Sequence, residues 1–275
     1  MYYVYEGRTI KGLGLMSWAL VIQLLAVISL GVTQAALGLL YGQLLLNPTA
    51  LFGPYIGAVA AVCGAEIAQL ATAVVFVIGF FQVHSGRHEY GLEEARSVER
   101  ALLFLIVFIV LSGISITLSV TDTFVAGLTG QSSLPTLAGR LIQGSLGALF
   151  AGLTLVDTIR SVSGVASTSR LRTALALGIT GAAAGPALTI LATIANPITV
   201  DLITSGILAS ALAGQGISAL SLLLFWMIYR ETCRSLEAGR PAPVLPRIEQ
   251  LYPWLYPPMI PYYPPGTQAP PPPRP

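Results

Sequence analysis

The 275-residue sequence predicts an all-α, polytopic membrane fold: six transmembrane helices paired as three hairpins, both ends cytoplasmic, and a proline-rich cytoplasmic tail. Three observations predict it. Charged residues make up only 9% of the chain and hydrophobic ones 54%, against about 25% charged in a soluble domain. Six apolar stretches, 13–46, 51–83, 101–125, 136–159, 172–195 and 203–229, each exceed the ~20 residues that carry an α-helix across a ~30 Å hydrocarbon layer. Of the 14 Lys and Arg, all but Arg140 fall before the first stretch, between the second and third, between the fourth and fifth, or after the sixth. Positive charge in every second gap marks the cytoplasmic loops. Residues 1–240 are thus one membrane domain and 241–275 its tail, with no room for a separate soluble domain.

The first stretch is too long for the apolar region of a signal peptide and no small-residue cleavage site follows it, so it reads as retained. Asn47-Pro48-Thr49 turns the chain back into the second: Asn-Pro initiates turns, and the residue before proline is pushed out of the helical region. Pro54 stands early in the second helix, where a missing N–H costs little. Residues 84–100 mix both charge signs. From about Leu92, Glu93–Arg96 and Arg96–Glu99 lie at i,i+3, so the third helix starts outside the lipid and climbs in. Gly127–Pro135 leads into the fourth helix, which closes on Asp157 and Arg160, an i,i+3 staple at the inner interface. Mid-way through the fifth stands Gly181-Ala-Ala-Ala-Gly185-Pro186. Proline removes a backbone bond and the glycines loosen the helix, so a kink or break is expected there. Asn196-Pro197 makes the last outer turn, and the sixth stretch returns to the inner face.

Lipid gives helices little hydrophobic reason to associate, so close approach must hold them together. Small residues stand in register for it: Gly53, Gly57, Ala61 and Ala65 in the second span, Gly144, Ala148 and Gly152 in the fourth, Gly181 and Gly185 in the fifth.

Glu66 is the one ionisable residue placed deep in the bilayer, with Cys63 and Gln69 a turn away on either side. An ionised carboxylate there is costly, so it is neutral or paired. Two readings stand. It is a proton- or cation-carrying group in a transport path, or a protonated structural residue bonded to Gln23, Gln143, Gln215 or a serine. Arg140 breaks the inside rule and needs an acid; Asp122 is the nearest and Asp201 the second.

The absences narrow the chemistry. The single lysine, Lys11, precedes the first span, so there is neither a P-loop nor a membrane-buried Schiff-base lysine. His84 and His88, the only histidines, lie at the inner edge of the second span; an intramembrane Ser–His nucleophile is ruled out and a bis-histidine haem disfavoured. With Glu89 they make a thin ligand set that Gly86 interrupts, so no metal site and no cofactor are expected. Cys63 and Cys233 cannot pair and read as packing residues. A net charge of +2 gives no field for nucleic acid. An enzyme is the least favoured class.

The tail is of another kind. Fourteen of residues 241–275 are proline, interleaved with Tyr252, Trp254, Tyr256, Tyr262 and Tyr263. Such a segment samples extended polyproline II and offers aromatic area to a partner at small ordering cost, or else stays disordered.

Three features resemble a group of archaeal multi-pass membrane proteins known only as domain of unknown function 973. They are the lead Glu6-Gly-Arg-Thr-Ile-Lys-Gly-Leu-Gly-Leu, the run Ile78-Gly-Phe-Phe-Gln-Val-His-Ser-Gly-Arg-His-Glu-Tyr90, and the Pro/Tyr-rich tail. The resemblance implies an archaeal plasma-membrane protein; it implies no activity and no catalytic residues. The leading expectation is a non-catalytic accessory protein whose tail docks a cytoplasmic partner. The alternative is a small-solute or ion transporter or channel using Glu66 and the Gly185-Pro186 break. Lipid is the expected surrounding, and small-residue faces suit contacts within one bundle or between copies.

Overall fold

The computed structural model describes residues 7–46, 48–129, 134–162, 167–195 and 211–239. Within those helices the side chains of 37–46, 48–52, 115–129 and some others, Glu66 and Arg140 among them, lie outside the described set. The described chain is helical throughout: α1 (Arg8–Leu46), α2 (Pro48–Ser85), α3 (Leu92–Thr129), α4 (Leu134–Arg160), α5 (Thr168–Ala195), a π-helical turn (Ala211–Gln215) and α6 (Gly216–Glu237). All six helices contain a segment long and apolar enough to cross a membrane, with the π-turn extending that of α6. The first three, at 39, 38 and 38 residues, are longer than their apolar stretches and rise ~57 Å each, so they tilt in or project beyond the lipid.

Each helix packs on its successor in the pairs α1–α2, α3–α4 and α5–α6. The third hairpin then stands between the other two, α6 against α1 and α5 against α4, while α2 and α3 touch only sparsely. Among the described residues, the most deeply buried side chains gather at one end. Leu13, Met16, Phe80, Val83, Val98, Ala101, Ile159, Val162, Leu171, Tyr229 and Leu236 come from the near ends of all six helices, and all are within 5% of full burial. That end also holds both described chain ends and the α2–α3 and α4–α5 connections. It is called the charged end below.

Glycine sets the closest approaches. A methyl built on Gly12 would lie 2.5 Å from the Gly79 carbonyl and 2.7 Å from the Val83 nitrogen, so α1 and α2 meet backbone to backbone. On α5, a methyl at Gly181 would lie 2.6 Å from the Ser218 nitrogen, and one at Gly214 would be 3.3 Å from the Cα of Gly185. The expected faces of the fourth and fifth spans are therefore used. On the second, Gly53 and Gly57 meet nothing within 4 Å among the described residues, while Ala65 is buried. The pair that joins α1 to α2 is Gly12 and Gly79, which spacing does not single out.

Two further expectations change. Of the kink or break expected at Gly185-Pro186, the break does not form, because α5 runs from Thr168 to Ala195 with Pro186 inside it. Cys63 is exposed on α2 rather than packed, whereas Cys233 does pack against the core.

Candidate functional site

At the charged end, α2 stops at Ser85 and the chain makes a tight turn, with the Glu89 N–H donating to the Gly86 carbonyl at 2.8 Å. Gly91, at φ 131°, then releases the chain into α3. This turn folds Glu89 over the start of α1. Its side chain is fully buried and accepts the backbone N–H groups of Arg8 at 3.0 Å and Thr9 at 3.1 Å. The Thr9 hydroxyl returns a bond to the Gly86 carbonyl at 3.1 Å. A helix begins with N–H groups that lack intrahelical acceptors and with a partial positive charge, and a carboxylate answers both. Here the cap comes from eighty residues away. Gly86 admits the contact, since a methyl there would lie 2.6 Å from the Thr9 hydroxyl oxygen.

The lead from Gly7 and the Ile78–Tyr90 run thus meet as one structural unit, the α1 start seated on the α2–α3 turn. In the sequence, Glu89 reads only as a thin third ligand beside two histidines. The signal that points to its true place is that the first turn of α1 has no acidic residue, so its cap has to come from elsewhere.

Ion pairs extend the charged end. Asp157, buried on α4, receives Arg160 of its own helix at 3.5 Å, the expected staple, and also Arg100 of α3 at 3.5 Å. Arg87 approaches Glu99 at 3.7 Å and ties the turn to α3, where helical spacing pairs Glu99 with Arg96. Arg170 and Glu231 join α5 to α6 at 3.2 Å but are exposed, so solvent screens them. The fully buried Tyr229 hydroxyl donates to the Leu155 carbonyl at 3.1 Å and stitches α6 to α4. Arg230 lies 5.3 Å over the Trp226 ring. The His88 imidazole is pushed below its ordinary range by burial first and by the Arg87 guanidinium second, so it is neutral at pH 7. Among the described residues no group of three His, Cys, Asp or Glu is placed to hold a metal.

A second locus lies in mid-bundle. Gln143, 8% exposed on α4, donates through Nε2 to the Leu111 carbonyl of α3 at 2.9 Å, and its Oε1 is buried without a partner among the described residues. On the next residue, a methyl built on Gly144 would lie 3.6 Å from the Ala182 carbonyl of α5. Four residues beyond Ala182 is Pro186, which has no N–H to give that carbonyl. Gly185 in turn meets Gly214 of the π-turn, next to Gln215. The structure therefore brings Gln143, Gln215, Gly181, Gly185 and Pro186 to one level of three neighbouring helices. The π-turn is not foreseen from spacing, although Gly214 within it and Gly216 just after it are its signal.

Gln23 and Gln69 are half-buried and level with each other, by the register that seats Gly12 on Gly79 and Val83. Most span hydroxyls, Thr33, Thr72, Ser112, Ser145, Thr154, Thr158 and Thr189 included, bond back to carbonyls of their own helix. Glu66 lies in α2 beside buried Ala65; its side chain, and those of Arg140 and Asp122, are outside the described set. The register set by Gln143–Leu111 and Phe104–Phe150 puts Arg140 level with Ile114, eight residues and so ~12 Å along α3 from Asp122. Asp201 and the tail residues Tyr252, Trp254, Tyr256, Tyr262 and Tyr263 also lie outside the described residues.

No family model, no curated protein and no solved structure matches this chain.

Proposed function

We propose that this is a non-catalytic accessory protein of the plasma membrane, with both ends cytoplasmic, whose charged end and Pro-rich tail together dock a cytoplasmic partner. The carrying observation is what stands, among the described residues, at the end from which the tail departs. The core, the Glu89 cap and the Asp157 ion pairs all lie at the end from which the tail departs. Helix α6 stops there in a defined way: the Ala238 N–H bonds the Arg234 carbonyl, the Gly239 N–H bonds that of Leu236, and Gly239 takes φ 72°. Pro241 follows after Arg240. A tail launched from a fixed point keeps its motif at high effective concentration above a rigid face. The likeness to the archaeal family belongs to the same proposal.

The test is purification from native membranes of the full chain, of a chain ended after Gly239, and of one carrying Tyr252→Ala, Trp254→Ala and Tyr256→Ala. The reading expects one partner that survives in the first and is lost in the other two. Identical lone species from all three would end it.

A second reading, a small-solute or ion transporter, is favoured by one observation: the Gly181–Pro186 segment packs on the π-turn at the level of Gln143. Irregular helices of this kind build sites in secondary transporters. It expects Glu66→Gln to abolish uptake or proton leak in liposomes while assembly is intact, and unchanged flux would rule it out.

A further inference from the structure

From the joint of α3 and α4 at the charged end we infer a site for a phosphodiester anion, the headgroup of an anionic phospholipid, held by Arg100 and Arg160. It depends on neither reading above, since a lipid site requires no transport and no cytoplasmic partner. Asp157 builds it. Its buried carboxylate takes Nε of Arg100 on one oxygen and Nη1 of Arg160 on the other, each at 3.5 Å. One acid thus gathers two guanidiniums, one from each helix. Nη2 of Arg100 is steadied further by donating to Oγ of Ser97 at 3.3 Å. Both arginine side chains nevertheless stay open, 58% and 46% exposed, while that of Asp157 is 6% exposed. The acid is covered and the cations are not.

Charge balance names the ligand. Guanidiniums keep their protons in proteins, and one carboxylate neutralises only one of the two. Glu99, beside Arg100 on α3, is turned to Arg87 at 3.7 Å. One positive charge is left over among the described residues, and Arg96, exposed one turn before Arg100, adds to it. A phosphodiester carries one negative charge, and its oxygens match the guanidinium fork. Depth names the source. Arg100 directly precedes buried Ala101, and Arg160 ends the apolar run of α4 after buried Ile159. Arg100 shares its helix face with exposed Leu103 and Val107, and Arg160 shares its own with exposed Ile142 and Leu146. Cations that crown bare apolar faces stand at the level of headgroups, and basic sites between helix ends bind anionic headgroups in membrane proteins. A phosphate in solution would meet the cations and leave those apolar faces unused.

The experiment follows thermal unfolding of the full chain in uncharged detergent with added phosphatidylglycerol, phosphatidylcholine or inorganic phosphate, at equal ionic strength. Phosphatidylglycerol is expected to raise the midpoint by ~2–4 °C over phosphatidylcholine, and inorganic phosphate to give no such rise. Arg100→Gln should lose the rise. Arg160→Lys keeps a charge on Asp157 without the fork and should lose most of it, so the test stays open if Arg100→Gln misfolds. Arg172→Gln removes an exposed cation of the same end outside the pair and should keep the full rise. Equal midpoints in the two lipids for the unaltered chain would overturn the inference, as would a full rise retained in either folded variant of the pair. A rise lost equally in Arg172→Gln would assign it to the general field of the charged end and overturn the site. The same rise in inorganic phosphate would make the ligand a soluble phosphate and overturn the headgroup.

Discussion

Glu89 caps Thr9. The carboxylate lies fully buried at the charged end and accepts the Thr9 backbone N–H at 3.1 Å, with Arg8 beside it at 3.0 Å. Replacing it with alanine strands two N–H groups in a dry site, so Glu89→Ala is expected to destabilise by ~1–3 kcal/mol. Glu89→Gln, which keeps one acceptor oxygen, should lose less. Unfolding midpoints in detergent measure this, and proteolysis near Arg8 reports whether the start of α1 has come loose. Equal midpoints for all three chains would mean that the cap is idle.

Glycine positions separate sharply. Gly12→Ala forces a methyl to within 2.5 Å of the Gly79 carbonyl, a backbone atom that cannot swing aside. Overpacking of this sort costs ~1–3 kcal/mol. Gly53→Ala meets nothing within 4 Å and should be neutral or stabilise by up to ~1 kcal/mol through helix propensity. The same unfolding assay ranks them, and a more damaging Gly53→Ala would contradict the packing.

Much of this fold is legible in the sequence and some is not, for physical reasons. Six spans and three hairpins follow from apolar length and charge placement, which depend on composition over twenty residues and tolerate local error. The helical start at Leu92 can be read because i,i+3 charge pairs are local. The Glu89–Thr9 bond and the Gly12–Gly79 contact join residues far apart in the chain, and no periodicity records such meetings. Pro186 stands out in the sequence as the seat of a kink or break, and α5 continues through it from Thr168 to Ala195, one backbone bond short. Gln143 reads from sequence only as a partner for Glu66, yet it is tied to α3 through Leu111.

Tyr229→Phe removes the hydroxyl that reaches Leu155 from a fully buried ring and leaves the ring packing in place. The expected loss is ~1 kcal/mol, the net value of one hydrogen bond. A loss above that of Glu89→Ala would mean that the hydroxyl carries more of the α4–α6 joint than this geometry allows.

His88 gives a pH dependence with a definite sign. Burial and Arg87 hold the folded imidazole below 6.5, against weaker opposition from Glu99 and with His84 acting the same way as Arg87. As pH falls through 6.5 the unfolded chain takes up the proton first, so stability drops on acidification. The unfolding midpoint should fall between about pH 7.5 and pH 5.5 by less in His88→Gln than in the unaltered chain. An identical fall in both would assign the effect to other groups.

Docking at the charged end requires that it face the cytoplasm. With Cys63 and Cys233 replaced by serine, single cysteines at Arg96 and Ala238 report that end, and one at Ser132 reports the α3–α4 connection opposite. A membrane-impermeant maleimide applied to intact cells is expected to label Ser132→Cys alone, with Arg96→Cys and Ala238→Cys labelled only after permeabilisation. Labelling of Arg96→Cys or Ala238→Cys in intact cells would turn the bundle over and end the docking account.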